Sequence, residues 1–201
     1  MPLMNLGFLA SHRGSNVQAV IDACHTGRLR VKPCVVISNN SHAEALTRAK
    51  QAGIPAYHVS SKTHPSPEQL DAEILRLLLQ HQVELVLLAG YLRKLGVQTL
   101  RWYRNRIINI HPALLPKFGG QGMYGAAVHE AVLAARETET GVTIHLVDEE
   151  YDHGVILAQC RMPVLAEDTV ASLVQRVLER EHSFLIETLE RIIAGELILP
   201  S

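Results

Sequence analysis

The stretch Asn109-Ile110-His111-Pro112-Ala113-Leu114-Leu115-Pro116 decides how the rest of the chain is read. Ile107 and Ile108 precede it, so it reads as a short buried strand running into a polar, proline-fixed loop. Residues two apart on a strand point to one face, so Asn109 and His111 are aimed together. A carboxamide and an imidazole side by side at the carboxyl end of a strand can stabilise an oxyanion and move a proton. Pro112 biases His111 to extended backbone, the two prolines stiffen the exit loop, and a cis bond is expected before Pro116. The plain alternative is a strand ending in an Asn turn with a satisfied histidine. The residues around the stretch weigh against it.

Towards the amino terminus, residues 85–88 are a continuous apolar run closed by Ala89-Gly90, the pattern of a fully buried strand. Apolar runs at 3–9, 31–38 and 56–59 read as earlier strands. They alternate with helices that open near Val17 and end at Gly27, then span 43–52 and about 68–80. The last of these carries Leu70, Ile74, Leu77 and Leu78 on one face. Strand and helix alternating in this way imply an α/β fold: a Rossmann-like, mostly parallel twisted sheet with helices on both faces. The polar end of the central stretch then lies on the carboxyl edge, where such sheets bind ligands.

Between the first strand and its helix lies Ala10-Ser11-His12-Arg13-Gly14-Ser15-Asn16. A loop there offers backbone N–H groups and a helix dipole to an anion. Gly14 permits close approach, and Ser15 or Asn16 can cap the helix or bind phosphate oxygens. The loop is neither a Walker loop nor GxGxxG. Beyond Pro116 the texture changes. Residues 117–125 hold four glycines with Gln121 and Tyr124, a loop that is mobile or shaped by a ligand rather than core. A helix is expected over 128–135, strands over 141–147 and 155–164, and a long amphipathic helix over 169–193. The acidic loop Asp148-Glu149-Glu150-Tyr151-Asp152-His153-Gly154 joins the two strands. Glu149 and Glu150 read as solvated charges, whereas Asp152 can turn back to the sheet edge and raise the pKa of a nearby imidazole.

At 201 residues with 47% apolar composition, one domain can bury a large core. Aromatic residues are only 4%, and 19 Lys plus Arg against 20 Asp plus Glu leave no basic footprint, which argues against nucleic acid as a partner. Cys24, Cys34 and Cys160 lack CxxC spacing, so neither a disulfide framework nor a zinc knuckle is expected. His129-Glu130 opens like HExxH, but Leu133 stands at the second histidine, so His129 is expected on a helix surface and no metal is assigned. No GxSxG elbow occurs. No leader or membrane span is expected, and the location expected is cytoplasmic.

Taken together, Asn109-Ile-His-Pro-Ala-Leu-Leu-Pro116, Gly141-Val-Thr-Ile-His-Leu-Val147 and Asp152-His-Gly154 with Ile156-Leu-Ala-Gln159 resemble the formyltransferases that use 10-formyltetrahydrofolate. The resemblance runs nearly end to end and implies a single formyltransferase domain over 1–201. Residues of about 1–100 would bind phosphate, and about 101–201 would bind folate and carry the chemistry. It implies Asn109, His111 and Asp152 as catalytic residues, Gly14, Ser15 and Asn16 at the acceptor's phosphate, and Glu181 at its ribose hydroxyls. Leu92, Arg93, Lys94 and Leu95, with Asn109, would line the folate pocket. The implied co-substrate is 10-formyltetrahydrofolate as formyl donor, without a metal. The partners are small molecules, neither nucleic acid nor membrane, and the chain is a monomer or homodimer. The best-matching branch formylates glycinamide ribonucleotide. An amino-sugar nucleotide acceptor and a non-catalytic nucleotide-binding module are the alternatives.

The tRNA-acting branch is disfavoured by near-zero charge and the chain's end at Ser201, and the deformylase branch by a first strand starting at Leu3. Three departures stand out: His12-Arg13 where a glycine and a small polar residue are usual, Ala72 where many members have arginine, and the long glycine-rich run 118–125.

Overall fold

In the computed structural model, which describes residues 3–200, the chain runs β1 (Met4–Leu9), α1 (Ser15–His25), β2 (Val31–Ser38), α2 (Glu44–Gln51), β3 (Ala56–His58), α3 (Pro67–Gln80) and β4 (Leu85–Leu88). It continues through α4 (Val97–Trp102), β5 (Ile107–His111), α5 (Ala126–Ala134), β6 (Glu139–Leu146), β7 (Ile156–Pro163) and α6 (Val170–Ile193). The strands form one seven-stranded sheet in the order β3-β2-β1-β4-β5-β6-β7. Pairing is parallel from β3 to β5 and antiparallel for β5 with β6 and β6 with β7. This is the mostly parallel α/β fold read from the sequence, with the sheet drawing strands from both halves of the chain.

Alternation along each strand builds a core on each face. Phe8 of β1, Leu87 of β4, Ile108 of β5 and Ile144 of β6 face one core, under α1, α2, α5 and α6. Leu9, Val86, Leu88 and Ile107 face the other, under α3 and α4. Full burial of one such side chain contributes about 1.5–3 kcal/mol, so register is held strongly. Asn109 and His111 continue the row of Ile107. Chain order reverses on either side of β1, whose neighbours are β2 and β4, and that switch point opens the crevice where ligands sit in open α/β sheets.

Helix α4 has no counterpart in the sequence reading, because six residues are too few to show a period. It forms because Asp71 of α3, 3% exposed, caps it. The Asp71 carboxylate accepts the N–H groups of Gln98 at 2.7 Å and Thr99 at 3.2 Å and the Thr99 hydroxyl at 2.5 Å. Gly96 leaves room for it: a Cβ there would lie 2.2 Å from the Asp71 Cγ. Asp71→Ala strands these buried donors and is expected to cost about 3 kcal/mol of stability, measured by urea unfolding. Among the described residues no helix is long and apolar enough to cross a membrane.

Candidate active site

A cavity of about 830 Å³ opens at the carboxyl ends of β1, β4 and β5. On β5, Asn109 and His111 share a face as expected, and the antiparallel register sets Asn109 opposite His145 and His111 opposite Thr143. The His145 Nδ1–H donates to the Leu146 carbonyl at 2.7 Å, so its Nε2 accepts from the Asn109 amide nitrogen at 3.0 Å. The same nitrogen donates to Asp152 Oδ1 at 3.2 Å. The acidic loop therefore does turn back to the sheet edge. Asp152 adopts φ 54°, a left-handed conformation that aspartate tolerates and that functional sites retain.

The other Asp152 oxygen, Oδ2, accepts the Gly120 N–H at 2.9 Å and lies 3.6 Å from His111 Nδ1. One carboxylate thus ties β5, β6 and the glycine-rich loop together. Burial works against its ionisation, but His145, His111 and the Gly120 N–H outweigh it and hold the carboxyl below its usual range. His111 Nε2–H donates to the Phe118 carbonyl at 2.8 Å. Burial, the strongest influence on that ring, pulls its pKa below the ordinary value despite the charge of Asp152. The sequence reading had Asp152 raising it. The structure places the carboxylate beside the ring, where its charge acts upward as read, and desolvation by burial outweighs it.

The loop after His111 is braced from below. Thr143 donates to the Ala113 carbonyl at 2.6 Å and accepts the Leu115 N–H at 3.1 Å. Gln159 of β7 donates to the Leu115 carbonyl and to Thr143, both at 2.9 Å. The Leu115–Pro116 peptide is cis.

At the other end of the cavity stands the start of α1. The helix is not capped by Ser15 or Asn16: its N-cap is Gly14, at φ 66°, with no side-chain cap bond. Only glycine fits there, because a Cβ would also fall 2.5 Å from the Ala45 Cβ. The first N–H groups of α1 consequently face the cavity without a side-chain acceptor. Asn16 points instead across to α6, where its amide donates to Glu181 Oε1 at 3.4 Å, and its own buried Oδ1 has no partner. Glu181 is almost fully buried, which pushes its pKa up to about 7 against the opposing bond from Asn16.

Leu92, Arg93, Lys94 and Leu95 form a wall of the cavity. The wall is pinned by the Leu92 N–H on Ser11 Oγ at 2.9 Å and by Lys94 Nζ on the Glu149 carbonyl at 2.8 Å. Ala72 lies exposed on α3, outside the cavity, and brings no contact of the kind an arginine would. Glu149 and Glu150 are exposed at the rim.

His129 overturns its reading as a surface residue. It is 3% exposed, lines the cavity, and its Nδ1 has no partner. Burial, with the nearby His111, holds its pKa low. Its burial comes from packing that no local pattern in the alanine-rich α5 reveals.

His145, Thr143 and the Gly120 N–H went unassigned in the sequence, although the alternation of 141–147 puts Thr143 and His145 on one face. Among the described residues no group of three or more His, Cys, Asp or Glu is placed to hold a metal ion, and all three cysteines are free.

A family model described as Formyl transferase matches residues 4–189. The chain is 40% identical over 188 residues to the chloroplastic phosphoribosylglycinamide formyltransferase of Vigna unguiculata, covering 93% of this chain and 60% of that protein. It therefore spans about three fifths of that plant relative's length. The phosphoribosylglycinamide formyltransferase of Haemophilus influenzae is 37% identical over 180 residues, covering 90% of this chain and 82% of that one. Among solved structures, glycinamide ribonucleotide transformylase 1 from Symbiobacterium toebii superposes with a TM-score of 0.90 at 36% identity, covering 99% of this chain and 92% of that chain.

Proposed function

The chain belongs to the formyl transferase family, and from that premise we propose that it moves the formyl group of 10-formyltetrahydrofolate to the primary amine of glycinamide ribonucleotide, a step of purine biosynthesis. The observation that carries the reading is one cavity with two chemistries. Asn109, His111 and Asp152 converge at one end, and an uncapped helix start with Glu181 stands at the other. The amino half then supplies the phosphate site at Gly14, Ser15 and Asn16. The carboxyl half supplies the formyl centre and the ribose contact at Glu181. Leu92, Arg93, Lys94 and Leu95 form the wall for the folate donor.

In this mechanism the acceptor amine attacks the formyl carbon. A C–N bond forms while the carbonyl π electrons move to oxygen. The oxyanion then re-forms the carbonyl as the bond to the folate nitrogen breaks. The attacking amine loses a proton and the leaving folate nitrogen gains one. No covalent enzyme intermediate is needed, and burial holds the pKa values of the Cys24, Cys34 and Cys160 thiols up. Asn109 and His111 serve the oxyanion and the proton.

Both donors are engaged within the protein, Asn109 on His145 and Asp152, and His111 on the Phe118 carbonyl. A formyl oxygen must therefore displace these contacts. A proton arriving on His111 Nδ1 meets Asp152 Oδ2, 3.6 Å away, so the carboxylate stabilises the imidazolium that formyl transfer requires.

Glu181 gives a pH test. As an anion it accepts two ribose hydroxyls; as an acid it repels neither but binds them less well. With its pKa at about 7, the ionised fraction rises about tenfold between pH 6 and pH 8. The KM for glycinamide ribonucleotide is expected to fall by up to that factor over this range, and to stay flat in Glu181→Gln. A flat wild-type profile would contradict the assignment of Glu181. Assay of the donor with a panel of acceptors tests the function itself. Turnover with glycinamide ribonucleotide is expected; turnover only with amino-sugar nucleotides, or donor breakdown without any acceptor, would overturn it.

A further inference from the structure

His129 is a buried polar group of the cavity wall that the transfer described above does not use. Its ring makes no hydrogen bond with any described residue, and a buried group left unsatisfied calls for a partner. Nδ1 is sealed from solvent, while Nε2, equally unpartnered, is the nitrogen left accessible. Burial and the nearby His111 both oppose a charged ring. In the neutral ring a hydrogen on Nδ1 would be a buried donor with nothing to meet, which folded proteins avoid more strictly than a bare acceptor. The hydrogen therefore belongs on Nε2, and His129 offers the cavity a donor.

The place of that donor says what it meets. His129 is the fourth residue of α5, and α5 packs against α6. Helix α5 gives the cavity Ala126 and His129, and α6 gives it Val174, Leu178 and Glu181 on one face at helical spacing. Of these five, His129 and Glu181 alone carry polar side chains. Glu181 is read above as the ribose contact, whereas His111 of the formyl centre is near enough to His129 to influence its ring. Helix α5 also starts at Gly125 without a side-chain cap bond, so its first N–H groups add further donors to this wall. An acceptor with its ribose at Glu181 and its amine at Asn109 and His111 lays whatever joins the two along α5 and α6. In glycinamide ribonucleotide that link is an amide and one methylene, and its hydrogen-bond acceptor is the amide carbonyl.

We propose that His129 is a specificity-determining residue for the acceptor, its Nε2–H donating to the carbonyl of the amide one carbon from the attacking amine. The inference rests on the reading of the cavity as the site of formyl transfer to glycinamide ribonucleotide. An amine presented without that carbonyl leaves the donor unpaired, and a site built to bond a substrate group rejects an analogue that lacks it. The bond is present before the attack as well as during it, so it acts on KM more than on kcat.

The test pairs two variants with two acceptors. His129→Gln carries an amide nitrogen about as far out as Nε2, and His129→Asn carries one only as far as Nδ1. The acceptors are glycinamide ribonucleotide and its alkene isostere, in which CH=CH replaces CO–NH, keeping the planar link and the primary amine without the carbonyl. The wild type and His129→Gln are expected to favour the amide by about tenfold or more in kcat/KM, with the difference in KM. In His129→Asn that preference should shrink about tenfold. A preference that His129→Asn keeps, or that both variants lose, would overturn the proposal. Equal kcat/KM for the two acceptors in the wild type would overturn it whether or not the variants fold.

If glycinamide ribonucleotide accepts no formyl group, the reading of the function has failed instead. Calorimetric titration of the wild type and both variants with the same two compounds then decides His129 alone. Tighter binding of the amide that is lost in His129→Asn and kept in His129→Gln upholds the contact. Equal affinities in the wild type, or no binding of either compound, overturn it.

Discussion

Replacing Asn109 or His111 by alanine is expected to lower kcat about 10²–10³-fold, the usual loss when one oxyanion donor is removed. Folate affinity should change far less, because both groups act chiefly on charge that develops in the transition state. The two substitutions are expected to combine to less than the product of their separate effects, since both side chains depend on Asp152. Steady-state kinetics with a folate-binding titration reads both quantities. Near-normal kcat in either variant would remove that residue from the chemistry.

Gly154→Ala is expected to be nearly as damaging from a position that touches no substrate. A Cβ at residue 154 would lie 1.9 Å from the Leu146 carbonyl oxygen and 2.7 Å from its carbon, and both are backbone atoms that cannot swing aside. The Leu146 N–H donates to the Val155 carbonyl at 2.8 Å in the same place, so relieving the clash pulls the acidic loop from the end of β6. Asp152, two residues away, is then drawn from His111, His145 and the Gly120 N–H. Loss of about 2–3 kcal/mol of stability is expected from the forced shift. With it should come a fall in kcat of roughly 10², because misplacing a catalytic group by an ångström has that effect. Thermal unfolding and kinetics on the same preparation would check both, and wild-type values would show the loop to be more yielding than its contacts indicate.

The contrast between these two predictions marks what was legible in the sequence. Asn109 and His111 could be placed together because the period of a strand is local, and Ile107-Ile108 announced the strand. The runs 31–38 and 85–88 were readable for the same reason. Asp152 could only be suspected, since the return of its loop depends on a left-handed backbone at Asp152 and on Gly154 sitting against β6. His145 was quoted in a motif but not assigned, because its partner Asn109 is fixed by antiparallel register across the sheet, not by spacing along the chain. Helix α4 hangs on a cap from Asp71, 27 residues before Gln98, and no local pattern signals it. His129 carried the wrong environment for a similar reason: long-range packing, not its own helix, decides its burial. The cap expected from Ser15 or Asn16 failed because Gly14 takes the N-cap with positive φ, leaving the helix start free for an anion.

The central claim is direct transfer of the formyl group between two bound small molecules. The measurement that tests it most directly follows a carbon-13-labelled formyl group from 10-formyltetrahydrofolate in the presence of glycinamide ribonucleotide, by NMR under single-turnover conditions. The account requires the label to appear as the formyl amide of the ribonucleotide at the rate the donor is consumed, with no free formate. Label released as formate, or a donor signal that stays unchanged while both ligands are bound, would contradict it.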